Sequence, residues 1–255
     1  MLEFSARLMG VNLLLQTIEL LCLRSYWRSG GVWQTSTLVL DAKSFIQPIR
    51  AVFGLSFSDP VFEVIVGLRL LGAVVLVFYP IGWIAFSVFI FSVLILFRFK
   101  GIFNGGSDYM TTLTLIGLSM GLILKNNASW VYYAVVFIAA QSVTSYFIAG
   151  ISKLKSVQWR KGKALNQLLP QSNFRFKGGW FLFSNRLFLT SIVTWSVLFF
   201  EILFPFGLIN FYVCLVFVLM ALVFHFCVFL FFGLNRFFWS WLVTFPCVLG
   251  IAVSV

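Results

Sequence analysis

Seven ionisable side chains lie in or at the edge of apolar stretches, and they are the residues best placed to do chemistry. Arg69, Glu63, Glu19, Glu201 and His225 fall inside such stretches, while Asp108 and Lys153 stand at their ends. A charged group in hydrocarbon costs about 3 kcal/mol on insertion scales and normally faces the interior of a helical bundle beside a partner. Two readings follow. One is a polar cavity opening toward one face, with acid, base and cation close together. The other is a set of interhelical ion pairs, such as Arg69 with Glu63 or Glu19, that fix the packing. His225, the only histidine, suits either, since an ordinary imidazole titrates near neutrality yet can also be a satisfied core group. Lys153 follows the stretch from Ser145 to Ser152, the end of an apolar helix. Its stem would lie in hydrocarbon and its amine near a helix C-terminus, where a desolvated amine is a usable base. The alternative is a lysine that snorkels to the interface.

Metal chemistry is not expected. One histidine cannot build a metal site, and no second nitrogen or thiolate ligand has suitable spacing. Cys22, Cys214, Cys227 and Cys247 lie in apolar segments with no CxxC pair, and read as small hydrophobes.

The elements that position these residues follow from composition. The chain has 255 residues, of which 61% are hydrophobic and 10% charged, with a mean hydropathy of +1.03. A soluble domain is about 45–50% apolar and about 25% charged, and it could not hide this much apolar surface. The expected fold is therefore all-α, a polytopic transmembrane helical bundle forming a single domain over 1–255, with no soluble domain. The N-terminus does not resemble a signal peptide, because Glu3 is acidic and no small-residue cleavage site follows.

Eight apolar segments are expected, at about 10–23, 61–79, 82–98, 109–124, 130–150, 187–207, 210–232 and 237–255, giving seven to eight crossings. The first and fourth are short for a full span. Pro80-Ile81-Gly82 reads as a hairpin turn, and Lys125-Asn126-Asn127 and Leu234-Asn235-Arg236 separate later segments. Three longer loops remain: Arg24 to Pro60, whose Trp27, Trp33 and Pro48 suggest packing on the membrane surface; Phe99 to Asp108; and Lys153 to Arg186. In the last, Lys161 to Leu169 predicts a short interfacial helix stopped by Pro170.

If all eight segments cross, one membrane face carries fifteen of the eighteen Lys and Arg, the other carries Arg7 and Lys125, and Arg69 lies within a span. The positive-inside rule places the rich face in the cytoplasm. Topology and anionic headgroups account for the net charge of +11, and no motif points to nucleic acid. With alternating directions, Glu63, Glu19 and His225 fall in the half of the membrane nearer the basic face, Asp108 and Lys153 cap helices at that level, and Glu201 falls in the other half.

The stretch from Tyr146 to Leu154, followed by Trp159 and Gly162, resembles the signature of the vitamin K-dependent γ-carboxylase superfamily, whose membrane part is shared with the horizontally transferred transmembrane (HTTM) domain proteins of bacteria. Three further places agree: Asn104-Gly105-Gly106-Ser107-Asp108 before an apolar helix, Glu201 in the sixth segment, and Phe224-His225 about twenty residues before Phe245-Pro246. The resemblance covers about 60 to 250, in the family's order and spacing.

The resemblance implies that Lys153 is a base that deprotonates a reduced quinone, in a hydrophobic pocket for the quinone or another isoprenoid lipid. Lys153, His225 and Asp108 are then the candidate catalytic residues, and Arg69, Trp159 and Glu63 the candidate cofactor-binding residues. A peptide-binding partner, another membrane or secreted protein, would complete the activity, and the location would be the bacterial cytoplasmic membrane. The loop lacks the histidine of the animal enzyme, one extra residue separates Lys153 from Trp159, and no lumenal domain follows the helices. These departures count against carboxylation of protein glutamates. The family places the lysine on the extracytoplasmic side, opposite to the side the basic loops indicate. Set against the enzyme is a non-catalytic subunit or scaffold of a larger membrane complex. A transporter is a weaker third, because no paired, Gly-interrupted helices suggest an inverted repeat.

Overall fold

A computed structural model of the chain describes residues 1–28, 30–31, 33–34, 58–99, 105–171 and 186–254, and all regular structure among them is helical. Six helices are long and apolar enough to cross a membrane: Asp59–Phe78, Gly82–Phe99, Ala128–Lys155, Leu187–Ile209, Phe211–Phe232 and Asn235–Val253. The chain is a helical membrane protein. Its contacts divide it into two compact units, Leu2–Ala134 and Val135–Val255, the latter together with Met1.

The first unit contains α1 (Leu2–Cys22), α2 (Arg24–Trp27), α3 (Asp59–Phe78), α4 (Gly82–Phe99), α5 (Gly105–Ile123) and the start of α6 (Ala128–Lys155). The expected turn at Pro80 and Ile81 separates α3 from α4, and Asn127 caps α6 by accepting from the Ser129 backbone N–H at 3.0 Å. The segment expected at 10–23 is longer: α1 starts at Leu2 and runs 21 residues. Its polar side chains Ser5, Asn12, Gln16 and Thr17 are buried, so the polar positions that interrupt its apolar pattern are satisfied inside the protein. Gln16 Nε2 donates to Asn12 Oδ1 at 3.0 Å and to Thr111 Oγ1 of α5 at 3.3 Å. Interhelical bonds of this kind hold helices together where burial of apolar surface gives no net drive. The polar content of α1 and α5 also explains why neither is among the six apolar spans.

Trp27 does not pack on the membrane surface as expected. It is fully buried in a cluster with Leu20, Phe62, Ile65, Val66, Ile95 and Phe99, and Trp33 packs against that cluster. Its indole N–H donates to the Leu20 carbonyl at 3.2 Å. Burying the large ring while satisfying its one donor is more favourable than leaving it at the interface. Pro48 and the rest of residues 35–57 of the expected first loop, together with Asn104, Arg175 and Lys177, lie outside the described residues.

The second unit contains the remainder of α6, α7 (Val157–Arg160), α8 (Ala164–Gln171), α9 (Leu187–Leu203) with a 3₁₀ extension (Phe204–Ile209), α10 (Phe211–Phe232), α11 (Asn235–Leu242) and α12 (Phe245–Ser254). α6 passes the expected end at 150, so Lys153 belongs to a helix and not to a loop. The short helix expected over 161–169 is present as α8, but it continues one residue beyond Pro170. Between α10 and α11 the break falls at Gly233 and Leu234, while Asn235 and Arg236 already belong to α11. The segment expected as one span from 237 is interrupted at Val243 and Thr244. Pro246 has no N–H to continue the ladder. Thr244 Oγ1 donates to the Trp241 carbonyl at 2.8 Å and can accept from Ser142 Oγ at 2.9 Å, which fixes the break against α6.

Candidate functional site

The site of the second unit is built on one stripe of α6. Ser142, Ser145, Tyr146, Ala149 and Lys153 recur at three- and four-residue spacing, so they share a face. Gly150 lets α9 approach that helix closely. A Cβ there would lie 2.7 Å from Ile202 Cγ1 and 2.9 Å from the Ile202 backbone nitrogen. One turn later, the Lys153 ammonium donates to both carboxylate oxygens of Glu201. The Lys153 side chain keeps 22% of its exposure and Glu201 only 3%, so the pair reaches from the interior to an opening. The Trp159 ring lies 5.3 Å from the Lys153 nitrogen, within range of a cation–π contact.

This pairing corrects the expected depths. Counting from segment ends puts Glu201 in the opposite half of the membrane from Lys153. Such counting assumes helices of equal length, whereas α6 has 28 residues and α9 has 17. A carboxylate in a low-dielectric interior is far costlier alone than beside a cation, and α6 is long enough to bring one.

His225, on α10, is also buried, and its Nε2 is 2.7 Å from the Tyr146 hydroxyl. The hydroxyl can donate or accept there, depending on the imidazole tautomer. Rings clamp both partners. Tyr146 stacks on Phe204 at 4.1 Å between centroids, and His225 stacks on Trp241 at 5.1 Å. Trp241 in turn stacks on Phe237 and donates from Nε1 to Ser145 Oγ at 3.2 Å. The second imidazole nitrogen, Nδ1, is buried with no hydrogen-bond partner. A buried polar atom left unbonded costs about 1–3 kcal/mol, which a bound group or water could recover.

A cavity of about 150 Å³ lies between these groups. One wall is ionic, from Lys153 and Glu201. The others are largely aromatic, from Tyr146, Phe224, His225, Phe237 and Trp241. A void of this size holds one six-membered ring. The arrangement can bind a flat apolar group, offer it a cation or a carboxylate, and pass a proton to or from it.

Of the expected site residues, Lys153, His225 and Trp159 come together here, with Lys153 and His225 lining the cavity. Asp108, Arg69 and Glu63 belong to the first unit. Asp108 is buried in the first turn of α5, where a carboxylate suits the helix N-terminus. Arg69 is buried and donates to Thr17 Oγ1 at 2.9 Å. Glu63 accepts from Arg24 and, at 2.6 and 2.8 Å, from Arg28, so the carboxylate proposed as a partner for Arg69 is held by two other arginines.

Sequence reasoning left Tyr146, Ser145, Phe237 and Trp241 without a role. The available signal was the α6 stripe, a row of hydroxyls leading to Lys153 through an apolar helix. Among the described residues, no group of three or more His, Cys, Asp or Glu side chains gathers as for a metal ion. Compared with protein-family models, curated proteins and solved structures, the chain matches none.

Proposed function

We propose that the chain is an HTTM-type protein of a bacterial cytoplasmic membrane and that its cavity binds the ring of a lipid-soluble, quinone-like molecule, with Lys153 as the base. The observation that carries this reading is the Lys153 amine at the wall of an aromatic cavity, shared with His225 and backed by Glu201. A proton can pass along the pair from amine to carboxylate, leaving an uncharged amine. With such a ring bound, that amine would take a proton from its hydroxyl, and the resulting ammonium would stabilise the negative charge left beside it. Trp159 covers the amine from the other side, and the stacked rings of Tyr146, His225 and Trp241 exclude water. The ring anion, or a product derived from it, would act on a peptide or small molecule presented by a partner protein.

The test is mass spectrometry of quinones and isoprenoid lipids that co-purify with the protein. The wild type should retain such a molecule, and Lys153→Ala should lose it or lose activity while still inserting and folding. Full retention and full activity in that variant would remove the base role.

A second reading, a non-catalytic subunit or scaffold, is favoured by the same ion pair seen differently. Lys153 and Glu201 neutralise each other where Gly150 brings α6 against α9. Such a pair can serve helix packing alone. It predicts no bound quinone, and it predicts that Lys153→Met with Glu201→Met leaves every function of the complex intact.

A further inference from the structure

The turn that leaves α6 carries a group of cations that the cavity does not use. Lys155, Arg160, Lys161 and Lys163 are all exposed, and none forms an ion pair among the described residues. No Asp or Glu occurs anywhere between Asp108 and Glu201, so nothing close in sequence offsets them.

These cations do not hang on a loose loop. α7 ends in a left-handed closure, with Gly162 at φ 67°. The Gly162 N–H bonds the Trp159 carbonyl at 3.0 Å and the Lys163 N–H bonds the Gln158 carbonyl at 3.0 Å, the paired pattern that seals a helix C-terminus. The closure is seated on α9, where a Cβ at Gly162 would strike the Ser191 side chain and approach its Cα to 2.9 Å. A second tie follows at once, from Asn166 Nδ2 to Thr190 Oγ1 at 3.3 Å. Arg160, Lys161 and Lys163 therefore stand at fixed positions around one closed turn. Donors held in place before binding lose little freedom on binding.

α7 begins two residues after the end of the apolar span Ala128–Lys155, so the turn lies beside the bilayer surface. Val157 is half-exposed and Trp159 partly so, the mixture of apolar, aromatic and basic groups that suits the headgroup level.

We infer that the turn 155–163 is a binding site for the phosphate headgroup of an anionic phospholipid, with Arg160, Lys161 and Lys163 as its donors and Gly162 as the residue that fixes their positions. The inference does not depend on the chemistry of the cavity.

The test uses the full chain in nanodiscs of equal phosphatidylglycerol and phosphatidylcholine, then extraction and native mass spectrometry of retained lipid. The wild type should keep phosphatidylglycerol in excess by about tenfold or more. Arg160→Gln with Lys161→Gln and Lys163→Gln should lower that ratio by about an order of magnitude, to near the equal composition of the disc. These positions are exposed, so thermal unfolding should be unchanged. Gly162→Ala retains every charge yet should lower the ratio about threefold, an effect that overall positive charge would not produce. Lys125→Gln, an exposed lysine at another turn, should change nothing. An unchanged ratio in the triple variant or in Gly162→Ala overturns the site. So does an equal loss in Lys125→Gln, or displacement of the lipid by a hexaglutamate peptide, which would make the turn a surface for acidic protein segments.

Discussion

The two units bury charge in different ways. In the first, Arg98 is fully buried, and its guanidinium donates to Asp59 Oδ1 at 2.8 Å and to the Trp27 carbonyl. The Phe62 ring lies 4.2 Å and the Trp27 ring 5.6 Å from its central carbon. Aromatic faces and hydrogen-bond acceptors surround the charge, and it fastens α2 to α3 and α4. In the second unit, the Lys153 and Glu201 pair borders a cavity and keeps part of its surface open. A planar guanidinium with five donors and two flat faces suits a closed lock, whereas a compact ammonium on a flexible stem suits a place where the partner changes. An embedded charge is thus a pointer to function only when space is left beside it.

That contrast can be broken at either end. The largest effect is expected at the lock. Arg98→Ala should destabilise the protein by about 3–5 kcal/mol, since it leaves Asp59 without its cation and empties a packed site. Arg98→Lys should recover little, because an ammonium cannot lie flat between the rings. Thermal unfolding in detergent measures both, and a wild-type midpoint for Arg98→Ala would refute the lock.

At the open site, Glu201→Leu should cost about 2–4 kcal/mol, less than the lock because the Lys153 amine can turn toward solvent. Combining it with Lys153→Met should restore most of that stability. The same unfolding assay reads the cycle, and additive losses would mean the two side chains are not coupled. Smaller still, Tyr146→Phe should cost about 1–2 kcal/mol by leaving His225 Nε2 unbonded. Nitrogen chemical shifts of His225 should move in that variant, and unchanged shifts would exclude the contact. Trp159→Ala should cost about 0.5–1 kcal/mol, with its main effect on retention of the cavity's ligand.

Much of the helical frame was legible in the sequence, because hydrocarbon demands long apolar runs and the hydrogen bonding of a helix. Helices occur at all eight expected segments, and six of them meet the length and hydropathy of a membrane span. Polarity hid the rest. The start of α1 is not legible because Glu3, Ser5 and Arg7 interrupt its apolar run, and only tertiary packing shows Ser5 buried. Trp27 looked interfacial by type, but its burial depends on Phe62 and Phe99, which lie far along the chain. At the site, Lys153 and His225 were visible as ionisable groups in apolar surroundings. Glu201 was visible too, but its depth was misjudged. The roles of Tyr146 and Trp241 depend on ring stacking, which has no signature in one sequence.

The interruption at Val243 and Thr244 has a consequence for how this pocket can drift over generations. Trp241 lies in the last turn before the interruption, where Thr244 Oγ1 bonds its carbonyl, and its indole stacks on His225. Replacing Thr244 would remove the hydroxyl that ties the interruption to the Trp241 carbonyl and to Ser142, and would loosen the footing of the indole without exchanging any residue that lines the cavity. Divergence among descendants of this chain should therefore be sought at the interruption as well as in the wall.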